Sequence, residues 1–208
     1  MRTFLSAIAA GAMIALAAYA ALVAADVTGM GKLAAAVVFP AGLILVLMTG
    51  SCLFTGQCLL LATDRRKAAV ILPISWVGNF VGTLIVGVVL VGVLPPPIPY
   101  VFAVTAQAKI ALSLPHAFAL GVGCNLLVCL GVVLWRRHGA IGAYVPVFLF
   151  VVCGFEHSVA AMFYLAAGLP SKKLLTDILP FLAVVTAGNI VGGWIVGEWH
   201  ELSSVHCE

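Results

Sequence analysis

Charge is what this chain has least of: among 208 residues, 10 are Lys or Arg and 7 are Asp or Glu, against 64% hydrophobic. A water-soluble domain of this length must cover its surface with polar side chains, and 8% charged residues do not suffice, so a soluble globular fold is excluded. The net charge of +3 is dispersed, with no basic stripe and no aromatics interleaved with cations, which removes nucleic acid as a partner. A disulfide framework is also missing. Cys52, Cys58, Cys124, Cys129 and Cys153 all lie in apolar runs, where a thiol behaves as a small hydrophobe. No two cysteines have the two-residue spacing of a metal knuckle and His206-Cys207 is an isolated pair, so no metal or cofactor is expected.

What is present is six apolar runs, 4–25, 33–62, 69–94, 112–135, 141–168 and 174–199, each long enough to cross a bilayer at roughly 20 residues per helix. The fold class expected is an all-α integral membrane protein, one transmembrane domain over 1–208. The first run has a second reading, because Met1-Arg2 followed by an Ala-rich stretch ending Leu22-Val23-Ala24-Ala25-Asp26 also resembles a cleavable signal peptide. Its length and the following repeat favour retention. Gly78-Asn79-Phe80-Val81-Gly82 recurs as Gly188-Asn189-Ile190-Val191-Gly192, 110 positions later, and Gly11 and Gly121 share that spacing. Spans 1–3 (about 4–94) and 4–6 (about 112–199) then form two repeats. An odd number of spans per repeat inverts the second copy, the architecture of channels and transporters with a path at the repeat interface.

Loop charge orients the chain. Arg2, Arg65, Arg66, Lys67, Arg136 and Arg137 fall on one side, and Lys32, Lys109, Lys172 and Lys173 on the other, so both termini are expected in the cytoplasm of a cell with this protein in its plasma (bacterial inner) membrane.

Runs two and five are too long for one straight crossing and carry Gly and polar residues at their centres: Thr49-Gly50-Ser51-Cys52-Leu53-Phe54-Thr55-Gly56 and Cys153-Gly154-Phe155-Glu156-His157-Ser158. Irregular backbone at membrane depth survives only where protein or a water-filled path satisfies it, so paired breaks point to a permeation site. The plainer reading is close helix contact at the glycines, with Thr49, Ser51 and Thr55 bonded back to their own helix. Glu156 and His157 weigh against it, because an ionisable residue near the bilayer centre costs at least ~2.5 kcal/mol on insertion scales. Glu156 reads as a structural carboxylate bonded to loop amides. His157 reads either as a satisfied core histidine or as a donor and proton exchanger in the path. Asn125 reads as an interhelical hydrogen bond, Asn79 and Asn189 as structural polar groups, and Lys109 as a loop lysine or a lone cation at the mouth.

Taken together these residues resemble the formate/nitrite transporter family. The resemblance rests on Gly42-Leu43-Ile44-Leu45 leading to Gly50-Ser51-Cys52-Leu53-Phe54-Thr55-Gly56, on Gly78-Asn79-Phe80-Val81-Gly82, on Cys124-Asn125-Leu126-Leu127-Val128-Cys129-Leu130 and on Gly154-Phe155-Glu156-His157-Ser158-Val159-Ala160, in that order. It implies an aquaporin-like protomer, a homopentamer, and broken second and fifth helices. It implies His157 as central pore histidine, Thr55 as its neighbour, Asn125 as a polar pore residue, Lys109 as a vestibule lysine, and Phe39, Leu43, Leu53 and Phe150 as apolar constrictions. Ala161 stands where the family usually has Asn, removing an amide that would brace the break. The chain opens almost at span one, so gating by an amphipathic N-terminal helix is not expected.

The expected function is passive, pH-dependent passage of a small monovalent anion, with formate ahead of nitrite and hydrosulfide. The anion is drawn in by Lys109 and crosses the apolar rings as the neutral acid, after protonation by His157 or a water. The rivals are an anion channel with a permanently charged His157, a neutral-solute channel, and a haem-carrying redox subunit, which His116, His138 and His157 suit poorly as axial ligands.

Overall fold

Lipid offers a peptide group no hydrogen bonds, so apolar runs of this length satisfy their own backbone as helices. The computed structural model describes residues 1–91, 98–168 and 174–205, and among the described residues there is no strand. Lys172, Lys173, His206-Cys207 and the end of the third run beyond Val91 lie outside the described residues. In chain order the helices are α1 (Arg2–Thr28), α2 (Lys32–Val38), α3 (Pro40–Thr49), α4 (Phe54–Gln57), α5 (Leu60–Thr63), α6 (Arg65–Val91), α7 (Ile98–Ile110), α8 (Leu114–Cys153), α9 (Ser158–Gly168) and α10 (Leu179–Val205).

Among the described residues five helices, not six, are long and apolar enough to cross a membrane: Arg2–Asp26, Lys32–Thr49, Arg65–Val89, Leu114–Cys153 and Thr176–Ser203. The difference falls in α8, where the fourth run and the first half of the fifth join in 40 residues. Straight, such a helix would extend about 60 Å, twice a hydrocarbon core. It is not straight. Gly139 takes φ 57° and ψ −140°, and a Cβ placed on Gly142 would lie 2.5 Å from the Leu134 carbonyl oxygen. Eight residues of continuous helix would separate those positions by about 12 Å along the axis. The chain therefore reverses at Gly139, and limbs 114–138 and 140–153 lie side by side.

Both expected breaks are present. α3 ends at Gly50 (φ 64°) and the second limb of α8 at Gly154 (φ 70°), left-handed conformations that strain any residue with a side chain. Non-helical backbone at 51–53 and 155–157 then leads into the half-helices α4 and α9.

One asparagine secures each break. Asn79 of α6 accepts from the Phe54 N–H at 2.8 Å and donates to the carbonyls of Ala7 (2.7 Å) and Cys52 (3.0 Å). Asn189 of α10 accepts from the Ser158 N–H at 2.8 Å and donates to the carbonyls of Gly121 (2.8 Å) and Glu156 (3.0 Å). Each thus satisfies the first N–H of a half-helix and ties the break to the first helix of its own repeat. Asn189 gives the span-five break a brace that does not depend on residue 161.

These matched bonds correct the repeat register. The third helices are offset by 110 residues, but the breaks by 104 (Cys52 to Glu156) and the first helices by 114 (Ala7 to Gly121). Gly11 and Gly121 are not equivalents. Trp76 Nε1 donates to Thr186 Oγ1 at 3.1 Å, and these positions are 110 apart; a residue touching its own counterpart lies at the pseudo-twofold axis.

Directions follow from close approaches. Gly78 and Gly82 of α6 meet Phe4–Ala7 and Ile8–Ala12 of α1 in increasing order, and Gly188 and Gly192 of α10 meet α8 the same way, so both pairs are parallel. Arg65 lies 3.8 Å from Glu198, placing the start of α6 beside the later part of α10. Arg2, Arg65 and Glu198 accordingly gather toward one end of the bundle.

Replacing Asn79 or Asn189 by Leu leaves a buried N–H and two buried carbonyls unmade, each costing ~1–3 kcal/mol. Each variant is expected to lose about 3 kcal/mol or more, to a similar extent, read as a lowered thermal midpoint in detergent. A variant at either position melting with wild type would remove the clamp.

Candidate functional site

The break before α9 places His157 directly ahead of a helix N-terminus. Its Nδ1 accepts the Ala160 N–H at 3.1 Å, so the imidazole caps α9 as a Ser or Asp side chain commonly does. A backbone amide can only donate. In the neutral ring the proton therefore resides on Nε2, and that N–H donates to Thr55 Oγ1 at 3.1 Å. The two breaks thus meet side chain to side chain, with Thr55 fully buried and His157 4% exposed. Thr55 is not bonded back to its own helix; Thr49 is, through Oγ1 to the Leu45 carbonyl at 2.8 Å.

A cavity of about 610 Å³ leads from the exposed side chains of Lys32 and His116 to His157. Phe39 and Phe150 form its inner wall. Phe150 stacks on the imidazole with centroids 6.0 Å apart, and Phe39 meets Phe150 edge-on at 5.6 Å. Leu43 and Leu53, the other expected constriction residues, are buried but do not line this cavity. Asn125 lies on the far side of Thr55, donating from Nδ2 to the carbonyls of Thr55 (3.1 Å) and Asn189 (2.6 Å), which is the interhelical role. Among the described residues its Oδ1 and the Ser158 hydroxyl are buried without a partner.

Glu156 and Lys109 differ from expectation. The Glu156 carboxylate accepts from Lys109 Nζ through both oxygens, at 2.9 and 2.7 Å, rather than from loop amides. Lys109 is therefore not a lone cation: its ammonium is held by a carboxylate with side chains only 17% and 7% exposed, and it also lies 5.2 Å over the Tyr164 ring. In such a setting two opposite charges pair because an isolated one would forfeit hydration without return.

Nothing in the sequence marks Lys32, His116 or Tyr164 as lining one cavity: Lys32 stands among the loop charges, His116 enters only as a poor haem ligand, and Tyr164 carries no polar signal within its apolar run. Only the reversal between α1 and α2 and the approach of α7 bring them to one cavity.

Apolar crossing helices, two half-helices that meet about a pseudo-twofold axis, and a chamber ending on a buried histidine define a membrane protein of the aquaporin-like inverted-repeat fold. The family model described as Formate/nitrite transporter matches residues 1–200. A probable formate transporter of Methanothermobacter thermautotrophicus is 37% identical, with 80% of this chain and 73% of the relative covered. The formate channel FocA of Haemophilus influenzae is 33% identical, covering 93% and 83%. Among solved structures, an FNT family ion channel is similar with a TM-score of 0.86 at 27% identity, covering 97% and 89%. A pentameric formate channel with formate bound is similar with a TM-score of 0.84 at 28% identity, covering 98% and 97%. The chain belongs to the formate/nitrite transporter family, and is a membrane transporter rather than an enzyme.

Breaking a buried ion pair by removing one partner costs ~3–5 kcal/mol, while removing both is far milder. Lys109→Met and Glu156→Gln are each expected to lower the thermal midpoint sharply, and the double variant to recover most of the loss. Additive losses in that cycle would show that the two charges do not depend on one another.

Proposed function

We propose that this protein conducts a small monovalent anion passively across the membrane, formate first and nitrite or hydrosulfide next, and that the substrate passes the centre as its neutral acid. Leaving water for the ring of Phe39 and Phe150 costs a bare anion far more than thermal energy. Desolvation in the narrowing raises the substrate's proton affinity, and protonation removes most of the barrier.

The observation that carries this reading is the pair of hydrogen bonds on His157. With Nδ1 accepting from Ala160, Nε2–H is a donor that a carboxylate oxygen can take over from Thr55. Giving that proton away would leave an imidazolate, so the substrate's proton is a bulk one that arrives as hydronium through the vestibule, and His157 stabilises the arriving oxygen. A permanently charged His157, which the rival channel requires, needs a proton on Nδ1 and forfeits the bond to Ala160. Glu156 and Lys109 serve by holding the break in position as a neutral pair. Asn125 fixes the Thr55 carbonyl, and Leu43 and Leu53 form the apolar barrier beyond the histidine. Assembly as a homopentamer in a plasma membrane, with both termini cytoplasmic, completes the proposal. It is supported by the pentameric neighbour and by the basic cluster Arg65-Arg66-Lys67 at the end shared with Arg2.

Proteoliposomes with formate outside and a pH dye inside test this directly: internal acidification should match formate entry. Current without acidification would instead establish the charged-histidine channel, and osmotic permeability without formate flux a neutral-solute pore. Thr55→Val removes the acceptor that the substrate must displace from Nε2–H, so the formate KM is expected to fall by up to about tenfold, the value of one hydrogen bond. His157→Ala conducting at wild-type rate over about pH 5–8 would take the histidine out of the mechanism.

A further inference from the structure

With Lys109 neutralised by Glu156, the positive potential that gathers anions must come from elsewhere. We propose that Lys32 is the cation that captures the anion at the rim of the vestibule, forming an entry subsite for a small carboxylate or similar monovalent anion; this rests on the anion-conducting reading above. Among the described residues lining the cavity, the fixed charges are Lys32, Lys109 and Glu156. Lys109 and Glu156 touch at 2.7 Å, so beyond a few ångströms they act as a dipole whose field falls faster than that of a single charge. Lys32 is left as the net charge. It is exposed, and among the described residues it has no ion-pair partner.

Its position is specific. Lys32 Nζ lies 2.8 Å from where a Cβ on Gly154 would stand, beside the 155–157 segment that carries Glu156 and His157. The absence of a side chain at Gly154 therefore both permits the left-handed turn and leaves room for the ammonium. An anion held there would be at the head of the chamber that ends on His157. The alternative role is electrostatic capping: the ammonium lies beside Gly154, the residue that ends α8, and a helix C-terminus is equivalent to about half a negative charge. That interaction offsets only part of a full positive charge and does not remove it.

The test is initial formate uptake into proteoliposomes of the full chain, over a range of formate concentrations, for wild type, Lys32→Gln and Lys32→Arg. At about 0.01 M salt, Lys32→Gln should raise KM about five- to tenfold with an unchanged saturated rate, and at about 0.3 M salt the difference should shrink below about twofold. Lys32→Arg should restore the low-salt KM. Lys32→Gln with wild-type KM at low salt would overturn the inference while leaving the functional reading intact. A fall in saturated rate and thermal midpoint that salt does not change would assign Lys32 to capping alone and equally overturn it. Wild-type vesicles that move neither formate, nitrite nor hydrosulfide would instead overturn the functional reading itself.

Discussion

Every structural feature of the site follows from one constraint: a peptide group in the middle of a bilayer must find its hydrogen bond inside the protein. A helix that stops half way across leaves N–H and carbonyl groups exposed at the depth where water is absent. Two carboxamides resolve this, because Asn carries both a donor and an acceptor on a planar group short enough to be held rigidly by its own helix. Asn79 and Asn189 each bond one amide and two carbonyls, supplying partners that the interrupted helix cannot. His157 completes the arrangement by accepting the Ala160 amide, which no clamp reaches. The same need that fixes the imidazole in place also selects its tautomer, so a structural cap and a directed donor are one and the same side chain.

Scarcity of charge acts in the same direction. At low local polarity a single ion is costly, and the molecule answers by pairing Lys109 with Glu156 at the wall of the chamber and lining the inner wall with Phe39 and Phe150. The chamber can be wet and cationic at its head and apolar where it narrows. On the mechanism proposed above, a permeating anion would experience that gradient as a rising cost of keeping its charge, and the barrier and the selectivity for protonatable substrates would be the same physical quantity.

Much of this was legible in the sequence. Length and hydropathy are enough to demand crossing helices, and the polar residues inside long apolar runs mark both breaks, with Glu156 and His157 at the centre of the second. The asparagine-centred repeat was visible because it must be: the same backbone problem arises twice and takes the same answer. What did not follow was anything fixed by distance between separate helices. The pairing of Lys109 with Glu156 joins residues 47 apart through α7, and the sequence alone left Lys109 as an isolated loop cation. Lys32 is at the vestibule because α2 starts where α1 ends and leans on Gly154, a contact no periodicity encodes. The register error has the same origin. Connections tolerate insertions whereas packed helices do not, so one offset holds within a span and changes between spans, to 114, 104 and 110 in turn. The hairpin at Gly139 was by contrast legible, since Arg136, Arg137 and His138 separate its two apolar limbs.

The two halves share a scaffold but not a chemistry. With the breaks offset by 104, His157 stands where the first repeat has Leu53, and Glu156 where it has Cys52. Leu53 precedes α4 as His157 precedes α9, yet it has no acceptor to offer, and α4 runs for only 4 residues against 11 in α9. The first repeat contributes Thr55 instead, two residues on in the first turn of α4, where its hydroxyl meets His157. A symmetric pair of histidines at the centre would have opposed two titratable rings in one small space; one histidine facing one hydroxyl gives a donor a neutral resting acceptor that a substrate oxygen can displace. The duplication therefore supplies the depth and the geometry twice, and the function arises because the side chains placed at that depth differ.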